Sequence, residues 1–338
     1  MKVGFYGGKF NIVHLGHVRA MLEAYSQVDK LYIMVMFDEE YEKARYEKLG
    51  IPIIEPYIRQ RWWTQITKDL DNVEVHTVYN KNTNDFKDWE RASIEVKEII
   101  SEGLTHVFST VPAYEDYFKK LYPNTEIVTM EQVTPCSATQ IFEKGVLNSW
   151  EYIPNEVRPY FNKKVVFLGS ESSGKSTMTK KVAKYFNTNY VEEQGSVLWQ
   201  FYGGKLGKVF SEKDYLDLTY QQKAIEFKKL QESNKFLAID TETIVTETWL
   251  KWYEETENKL LSEISKSEDY DLFIIISPTR EFVQDGMRNF KENSQRYDIF
   301  KDMLDKLVKY NKNYIVIDEE DSGKVFAKCI TEITKILK

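Results

Sequence analysis

Short apolar runs alternate with amphipathic stretches along the first half of the chain. The apolar runs have the length of strands and lie at 3–6, 31–37, 73–78, 106–110 and 127–130. The amphipathic stretches between them have helical spacing and lie at 17–28, 56–70, 89–102 and 114–121. Strands that alternate with helices form βαβ units, so this pattern predicts an α/β domain with a mainly parallel sheet.

The same alternation starts again after a short aromatic segment. Residues 151–163 contain two prolines and no Gly/Ser-rich run, which predicts an ordered connector. Further strands are predicted at 164–168, 190–191, 236–240, 272–277 and 314–318, and helices at 175–186, 212–234 and 322–337. A chain of 338 residues suits two domains, which we place at 1–150 and 164–338.

Charge and apolar content narrow the class of protein. The net charge is −7, and a general nucleic-acid surface would need a basic face instead. No apolar run approaches the roughly 20 residues of a membrane helix, and no signal-peptide pattern follows Lys2. Two distant cysteines, Cys136 and Cys329, are typical of reduced thiols. We therefore expect a cytoplasmic protein without membrane insertion, and leave open whether it forms homo-oligomers.

The most specific short motif lies at the start of the second domain. The sequence GSESSGKS at 169–176 matches the phosphate-binding pattern G-x-x-x-x-G-K-[ST] between a predicted strand and a predicted helix. Lys175 would reach the β- and γ-phosphates of ATP, and Ser176 would bind Mg²⁺. The predicted ATP contacts are Gly169, Ser172, Ser173, Gly174, Lys175, Ser176 and Thr177.

Carboxylates follow two of the later strands. Asp240 ends the apolar run 236–240, where a parallel strand meets its ligand edge. It could accept the proton of a substrate hydroxyl or hold Mg²⁺, and a helix N-cap is the alternative without function. Glu242 competes with Asp240 for the role of base, and Glu193 is a candidate to bind a second hydroxyl.

Three arginines follow the strand 272–277. Arg280, Arg288 and Arg296 are spaced through a polar stretch in which Asp285 and Gly286 predict a turn. P-loop kinases often place arginines in a lid over the transferred phosphoryl group, so Arg288 and Arg296 are predicted ATP contacts. A solvated helix face is the alternative.

A second phosphate-binding pattern lies at the N-terminus. The turn GGKF at 7–10 follows the first predicted strand, and HLGH at 14–17 contains two of the four histidines of the chain. Backbone N–H groups and imidazoles at a helix start can bind phosphates. A two-histidine metal site would lack a third ligand at a suitable spacing, and the hydroxyls at 137–139 can be plain helix caps. The predicted nucleotide contacts are Gly7, Gly8, Lys9, Phe10, His14, Gly16, His17, Ser137 and Thr139.

The two motifs in this order resemble the NadR-like family of bifunctional enzymes. The segment GKFNIVHLGH is similar to the family's GKFxPxHxGH, and SATQI to its late IS-[AG]-x-x-I-R motif. The junction WEYIPNEVRPYF before LGSESSGKST is the most specific match, and IDTE and DGMR stand where the family has IDTD and DGLR. The resemblance implies a Rossmann-like nucleotidyltransferase domain followed by a P-loop kinase domain.

The resemblance also implies two reactions that use ATP and Mg²⁺. The second domain would phosphorylate nicotinamide riboside to nicotinamide mononucleotide (NMN), with Glu193, Asp240 and Glu242 at the riboside. The first domain would transfer the adenylyl group of ATP to NMN and form NAD. Lys9, His14 and His17 would bind phosphate there, and Trp89, expected in a loop-rich stretch, would stack on the nicotinamide ring.

Three departures from the family pattern matter. Phe142 replaces the arginine of the late motif, and Lys144 is the nearest cation that could compensate. Ser196 stands where the kinase half tends to have arginine. The chain also starts at its first predicted strand without a helix-turn-helix, so DNA binding is not expected. Because Phe142 removes a phosphate-binding cation, a first alternative is that the N-terminal domain only senses nucleotide. A fused adenylyltransferase and kinase of coenzyme A synthesis is a second alternative.

Overall fold

Apolar strands build one parallel sheet in each half of the chain. The computed structural model describes residues 1–50, 53–81, 85–131, 137–204, 210–284 and 288–338. These residues divide into two compact units, 1–157 and 158–338. The division lies inside the segment 151–163, which contains a short helix and part of a 3₁₀ turn.

The N-terminal unit contains five strands in the order β3-β2-β1-β4-β5, all parallel. The strands are β1 (Val3–Gly8), β2 (Lys30–Phe37), β3 (Val73–Tyr79), β4 (His106–Ser109) and β5 (Glu126–Thr129). The helices are α1 (Leu15–Tyr25), α2 (Glu39–Leu49), α3 (Pro56–Ile66), α4 (Phe86–Ile99), α5 (Glu115–Leu121) and α6 (Ala138–Lys144), with 3₁₀ turns at Pro112–Tyr114 and Val146–Tyr152. The predicted strands are confirmed, and their ends differ by one or two residues.

The C-terminal unit also contains five parallel strands, in the order β10-β9-β6-β8-β7. The strands are β6 (Lys163–Leu168), β7 (Tyr190–Val191), β8 (Phe236–Asp240), β9 (Leu272–Ile276) and β10 (Tyr314–Ile317). The helices are α7 (Arg158–Phe161), α8 (Lys175–Tyr185), α9 (Gln194–Phe201), α10 (Glu212–Leu230), α11 (Thr243–Glu254), α12 (Lys259–Ser267), α13 (Asn293–Lys309) and α14 (Ser322–Ile336). No helix among the described residues is both long and apolar enough to span a bilayer.

Strand β6 shows why the apolar runs are continuous rather than alternating. Val165 and Phe167 pack into the cluster that contains the apolar residues of α8 and α14. Val166 and Leu168 face the opposite side and pack with α11 and α13. Successive strand residues point to opposite faces, and helices cover both faces of this sheet, so all four buried positions at 165–168 are apolar.

Strand order brings each phosphate-binding turn to a crevice. In the N-terminal sheet β1 lies between β2 and β4. Strands β2 and β3 are therefore added on one side of β1, and β4 and β5 on the other. In the C-terminal sheet the last residues of β6 and β8 are neighbours, and Phe167 is paired with Asp240. Ligands of open α/β sheets bind at such points, beyond the carboxyl ends of the strands.

Helix α2 was not predicted, because it lacks an apolar stripe. Two of its eleven residues are buried. Its ends carry the signals instead: Asp38 caps the first turn, and Gly50 at φ 64° ends the helix. Acidic residues in the first turn and Lys48 in the last also match the helix dipole.

A buried ion pair joins α2 and α3 beneath the N-terminal turn. The guanidinium of Arg59 is fully buried and forms a two-pronged pair with the carboxylate of Glu42. Arg59 also donates to the carbonyl oxygens of Ile54 at 2.9 Å and Lys9 at 3.0 Å. The pair therefore fixes the backbone of the turn that follows β1.

We predict that Arg59→Met destabilises the N-terminal unit by about 3–5 kcal/mol, because Glu42 then remains buried without its partner. Hydrogen exchange of the whole chain measures this, with peptides from 158–338 as the internal control. The double variant Glu42→Leu/Arg59→Met should recover most of the protection, since it removes both charges. Equal exchange in Arg59→Met and the unchanged protein would contradict the role of the pair.

Candidate functional sites

The N-terminal turn opens on a cavity of about 410 Å³. The cavity is lined by the whole GGKF turn at 7–10, by Ser109 and Thr110 at the end of β4, and by Thr139 of α6. The structure thus brings most of the predicted nucleotide contacts of this domain to one crevice. His14, Gly16 and Ser137 are not among the lining residues.

His14 and His17 form the start of α1. The Nδ1 atom of His14 accepts the N–H of Gly16 at 3.1 Å, and the Nδ1 atom of His17 accepts the N–H of His14 at 3.3 Å. The two rings stack with centroids 3.7 Å apart. Because each Nδ1 is an acceptor, the proton of each neutral ring is on Nε2, which remains available as a donor.

Burial keeps both imidazoles neutral. It lowers the pKa of His14 to about 4. Burial also lowers the pKa of His17 well below its usual value, and the neighbouring His14 lowers it further. At neutral pH this pair therefore offers N–H donors to an anion rather than full positive charges.

Two cations meet at the ring of Tyr41 on the wall of the same cavity. The Nζ atom of Lys9 lies 3.6 Å above the ring centroid. Arg45 of α2 donates to the Tyr41 hydroxyl at 3.1 Å and to Oγ1 of Thr139 at 2.6 Å. Burial lowers the pKa of Lys9, although Tyr41 and Glu42 oppose this effect. Sequence reasoning missed Arg45, because no apolar pattern marked α2 as a helix.

Another wall of the cavity is aromatic. Trp89 lies in the first turn of α4, which begins three residues before the helix predicted at 89–102, so it is not in the loop-rich stretch before that helix. Its ring contacts Tyr114 at 5.0 Å and Tyr117 at 4.7 Å between centroids. Trp89, Tyr114 and Phe118 line the cavity. Phe10 is buried and packs edge-on to Trp63 at 4.9 Å, so its ring belongs to the core as much as to the site.

Two further predicted residues act as local caps. Ser137 forms a capping box with Gln140 at the start of α6, the alternative given for this segment from the sequence. Gly16 lies in the first turn of α1, where its N–H is bound to His14. These contacts shape the helix starts beside the cavity.

The P-loop of the C-terminal unit follows β6 and continues into α8. Gly174 has φ 90°, and a side chain there would meet the guanidinium of Arg280. A side chain at Gly169 would come within 2.8 Å of the carbonyl oxygen of Ile276. The loop therefore requires glycine at both ends. The hydroxyls of Ser170 and Ser173 are buried without a hydrogen-bond partner among the described residues.

Lys175 lies among carboxylates. Its Nζ atom is 3.7 Å from Oε2 of Glu193. Burial opposes the charged form of Lys175, but Glu193 and Asp240 outweigh this and raise its pKa. Burial raises the pKa of Asp240 to about 6, and the nearby Lys175 and the Ser176 hydroxyl oppose this effect. The Oδ1 atom of Asp240 has no partner in the described part of the chain.

The predicted arginines divide into two kinds. Arg288 donates to the Ser172 hydroxyl of the P-loop at 2.8 Å and lines the adjoining cavity. Arg280 lies against Gly174, and its Nη2 atom is buried without a hydrogen-bond partner among the described residues. Asp285 and Gly286 lie outside the described residues.

Arg296 has a different environment from the other two arginines. It is fully buried in the first turn of α13. It donates to the carbonyl oxygens of Glu171 at 2.9 Å and Arg280 at 2.8 Å. In this structure Arg296 therefore braces the loop from beneath and does not line the cavity, whereas Thr177 is exposed on α8.

Glu171 connects the P-loop to α11 and to the residues before α13, which no pattern in the sequence predicted. Its carboxylate accepts the Tyr253 hydroxyl at 2.5 Å and the N–H groups of Asn289 at 3.3 Å and Phe290 at 3.0 Å. The side chain is buried, so these bonds form away from water. A pattern that allows any residue at this position cannot reveal the contact.

A cavity of about 300 Å³ adjoins the P-loop. Glu193, Ser196 and Thr241 supply polar groups to it, and its aromatic lining consists of Phe210, Tyr215, Trp249 and Tyr253. Asp240 and Glu242 are not among the lining residues. The Oε1 atom of Glu242 caps α11 at the N–H of Ile244, 2.9 Å away. The N-cap role weighed for Asp240 thus belongs to Glu242.

Comparison with known proteins identifies both halves. Residues 5–144 match the cytidylyltransferase-like family model, and residues 164–324 match an AAA-domain model. The chain is 28% identical over 345 residues to the trifunctional NAD biosynthesis/regulator protein NadR of Escherichia coli K12, covering 99% of this chain and 83% of that protein.

Two solved structures share the fold of the chain. One is the crystal structure of NadR protein in complex with NR, with a TM-score of 0.80 and 21% identity over 99% of this chain and 95% of that one. The other is NadR protein in complex with NAD and AMP-PNP, with a TM-score of 0.75 and 20% identity over 94% and 91%. Together with the two family models, these similarities show that the chain is NadR-like in sequence and fold over nearly its whole length, with a cytidylyltransferase-like domain followed by a P-loop domain.

Proposed function

We propose that the chain catalyses two ATP-dependent steps of NAD biosynthesis. The C-terminal unit phosphorylates nicotinamide riboside to NMN, and the N-terminal unit transfers an adenylyl group from ATP to NMN, giving NAD and pyrophosphate. The observation that carries the proposal is the pair of glycine turns, each with a lysine at a cavity beyond the carboxyl end of a parallel strand. The name of the Escherichia coli relative and the ligands NR, NAD and AMP-PNP in the similar structures' titles support this substrate class.

In the kinase reaction, the P-loop backbone and Lys175 hold the phosphates of ATP. Arg280 and Arg288 lie beside the same loop, where charge develops on the transferred phosphoryl group. Glu193 lines the adjoining cavity, which suits a role in binding a riboside hydroxyl. The aromatic lining suits a flat nicotinamide ring.

The kinase site also has suitable oxygen donors for Mg²⁺. Ser176 and Asp240 provide a hydroxyl and a carboxylate, and Oδ1 of Asp240 lacks a partner within the described ranges. Those ranges contain no group of three or more His, Cys, Asp or Glu side chains suited to a metal ion. Mg²⁺ usually binds through one or two protein oxygens together with substrate phosphates, and when bound it neutralises phosphate charge.

In the adenylyl transfer, the N-terminal turn and the two histidines bind the phosphates of ATP. The Nε2–H groups of His14 and His17 donate hydrogen bonds toward the α-phosphate, where negative charge is redistributed during attack by NMN. Lys9 adds a cation beside the turn. Trp89 forms part of the aromatic wall, and in the proposed complex its ring stacks on the nicotinamide ring.

Phe142 favours a second candidate, in which the N-terminal unit binds nucleotide without catalysis. Its side chain lines the cavity where the family motif has a cation.

Product analysis separates the candidates. The protein is incubated with ATP, Mg²⁺ and nicotinamide riboside, and NMN and NAD are quantified. Both products support the two-step enzyme, and NMN without NAD, even when NMN is supplied, supports the sensor. Phosphorylation of a pantetheine compound instead would point to coenzyme A synthesis.

Because each reaction has its own phosphate site, single substitutions should separate them. Lys175→Ala should abolish NMN formation and leave NAD formation from supplied NMN intact. His17→Ala should lower NAD formation on the order of 10²–10³-fold, as the loss of a preorganised donor does, and spare NMN formation. Both rates are measured by chromatography, with thermal melting to verify folding. Loss of both activities in one folded variant would refute independent sites.

Riboside phosphorylation should fall as the pH is lowered through about 6. Burial raises the pKa of Asp240 to about 6, and both roles open to this residue require its carboxylate form, which predominates above the pKa. The measurement is kcat/KM for riboside from pH 5 to 8. Asp240→Asn, which has the same shape without the charge, should be slow throughout this range. An unchanged rate down to pH 5 would exclude an essential Asp240 carboxylate.

A further inference from the structure

The adenylyl-transfer site has a cation that the late motif does not supply. Phe142 lines the N-terminal cavity, and its ring packs edge-on against Tyr46 of α2 with centroids 6.0 Å apart. Lys144, the cation nearest to it in sequence, is exposed and is not among the lining residues. Helix α6 therefore brings no positive side chain to the cavity.

Arg45 of α2 reaches the same turn of α6. Its Nη2 atom donates to Oγ1 of Thr139, 2.6 Å away, and Thr139 precedes Phe142 by three residues. Residues three apart on a helix are surface neighbours, so the guanidinium lies beside the position that the family's arginine would occupy. Bonds to Thr139 and Tyr41 engage two of its five N–H donors and leave the others for a ligand.

The charge balance of this wall favours an anionic ligand. Lys9 and Arg45 both contact Tyr41, so two positive groups are held at one ring. Within the described residues neither cation has a carboxylate at ion-pair distance. Glu42 also lines the cavity, but its carboxylate is paired with Arg59. Holding like charges together in a partly buried wall costs free energy that a bound phosphate would offset.

We propose that Arg45 is the phosphate-binding cation of adenylyl transfer, in the role that an arginine at position 142 has in the family motif. The inference rests on the function proposed for the N-terminal unit. An oxygen of the NMN phosphate forms a bond to the α-phosphorus of ATP. The bond from that phosphorus to the bridging oxygen breaks, and pyrophosphate leaves with the electron pair. Arg45 donates hydrogen bonds to the phosphate oxygens that gain charge in this step.

The test uses the full-length protein and supplied NMN. Arg45→Gln keeps an amide that can donate to Thr139 but removes the charge, and should slow NAD formation on the order of 10²–10³-fold. Riboside phosphorylation should stay at the rate of the unchanged protein. Lys48→Ala removes an exposed charge from the same helix and should change neither rate. Adding Phe142→Arg to Arg45→Gln should restore NAD formation at least tenfold.

An unchanged NAD rate in Arg45→Gln would overturn the proposal. A slow but folded Arg45→Gln variant that Phe142→Arg does not rescue would assign Arg45 a purely structural role and also overturn it. If the unchanged protein makes no NAD, the proposed adenylyl transfer itself fails. Equilibrium dialysis with ATP, in a Lys175→Ala background, then decides: weaker ATP binding on Arg45→Gln supports a phosphate contact, and equal binding excludes it.

Discussion

The structure depends on positive potential at the carboxyl edge of each parallel sheet. In both units the strand that ends in a glycine turn is the middle strand of its sheet, where the strand order changes direction. The backbone N–H groups of the turn therefore lie at an open crevice. A lysine follows within or just after each turn, at Lys9 and Lys175. Fixed dipoles of this kind need no rearrangement when a polyphosphate arrives, which is why they suit phosphoryl and nucleotidyl transfer.

Buried charges in the two units are used in contrasting ways. Arg59 and Glu42 satisfy each other beneath the N-terminal turn, and Arg296 donates to carbonyl oxygens beneath the P-loop. Such groups stabilise the geometry of the turns. Arg45 instead lies on the wall of the N-terminal cavity, where bonds to Tyr41 and Thr139 use two of its five N–H donors. Whether an arginine braces a loop or faces a ligand therefore depends on whether its guanidinium is enclosed by the protein or lies at a cavity.

Most of the fold could be predicted from the sequence, because strands that are buried on both faces are continuous apolar runs. Several helices were not predicted. Among them are α2, which is polar nearly all round, α9, which is one short segment after Glu193, and the later helices α12 and α13. The predictions of site residues divide in the same way. The turns at 7–10 and 169–176 follow from local sequence, whereas Arg45 depended on an unpredicted helix. No local signal distinguished Arg296, which is buried, from Arg288, which lines the cavity.

If each glycine turn binds its own polyphosphate, one chain binds two molecules of ATP in independent crevices. Calorimetric titration of the unchanged protein with a non-hydrolysable ATP analogue and Mg²⁺ measures this stoichiometry. We expect two analogue molecules per chain, falling to one in Lys175→Ala and to one in His17→Ala. A stoichiometry of one in the unchanged protein, or the loss of both sites in either folded variant, would contradict it.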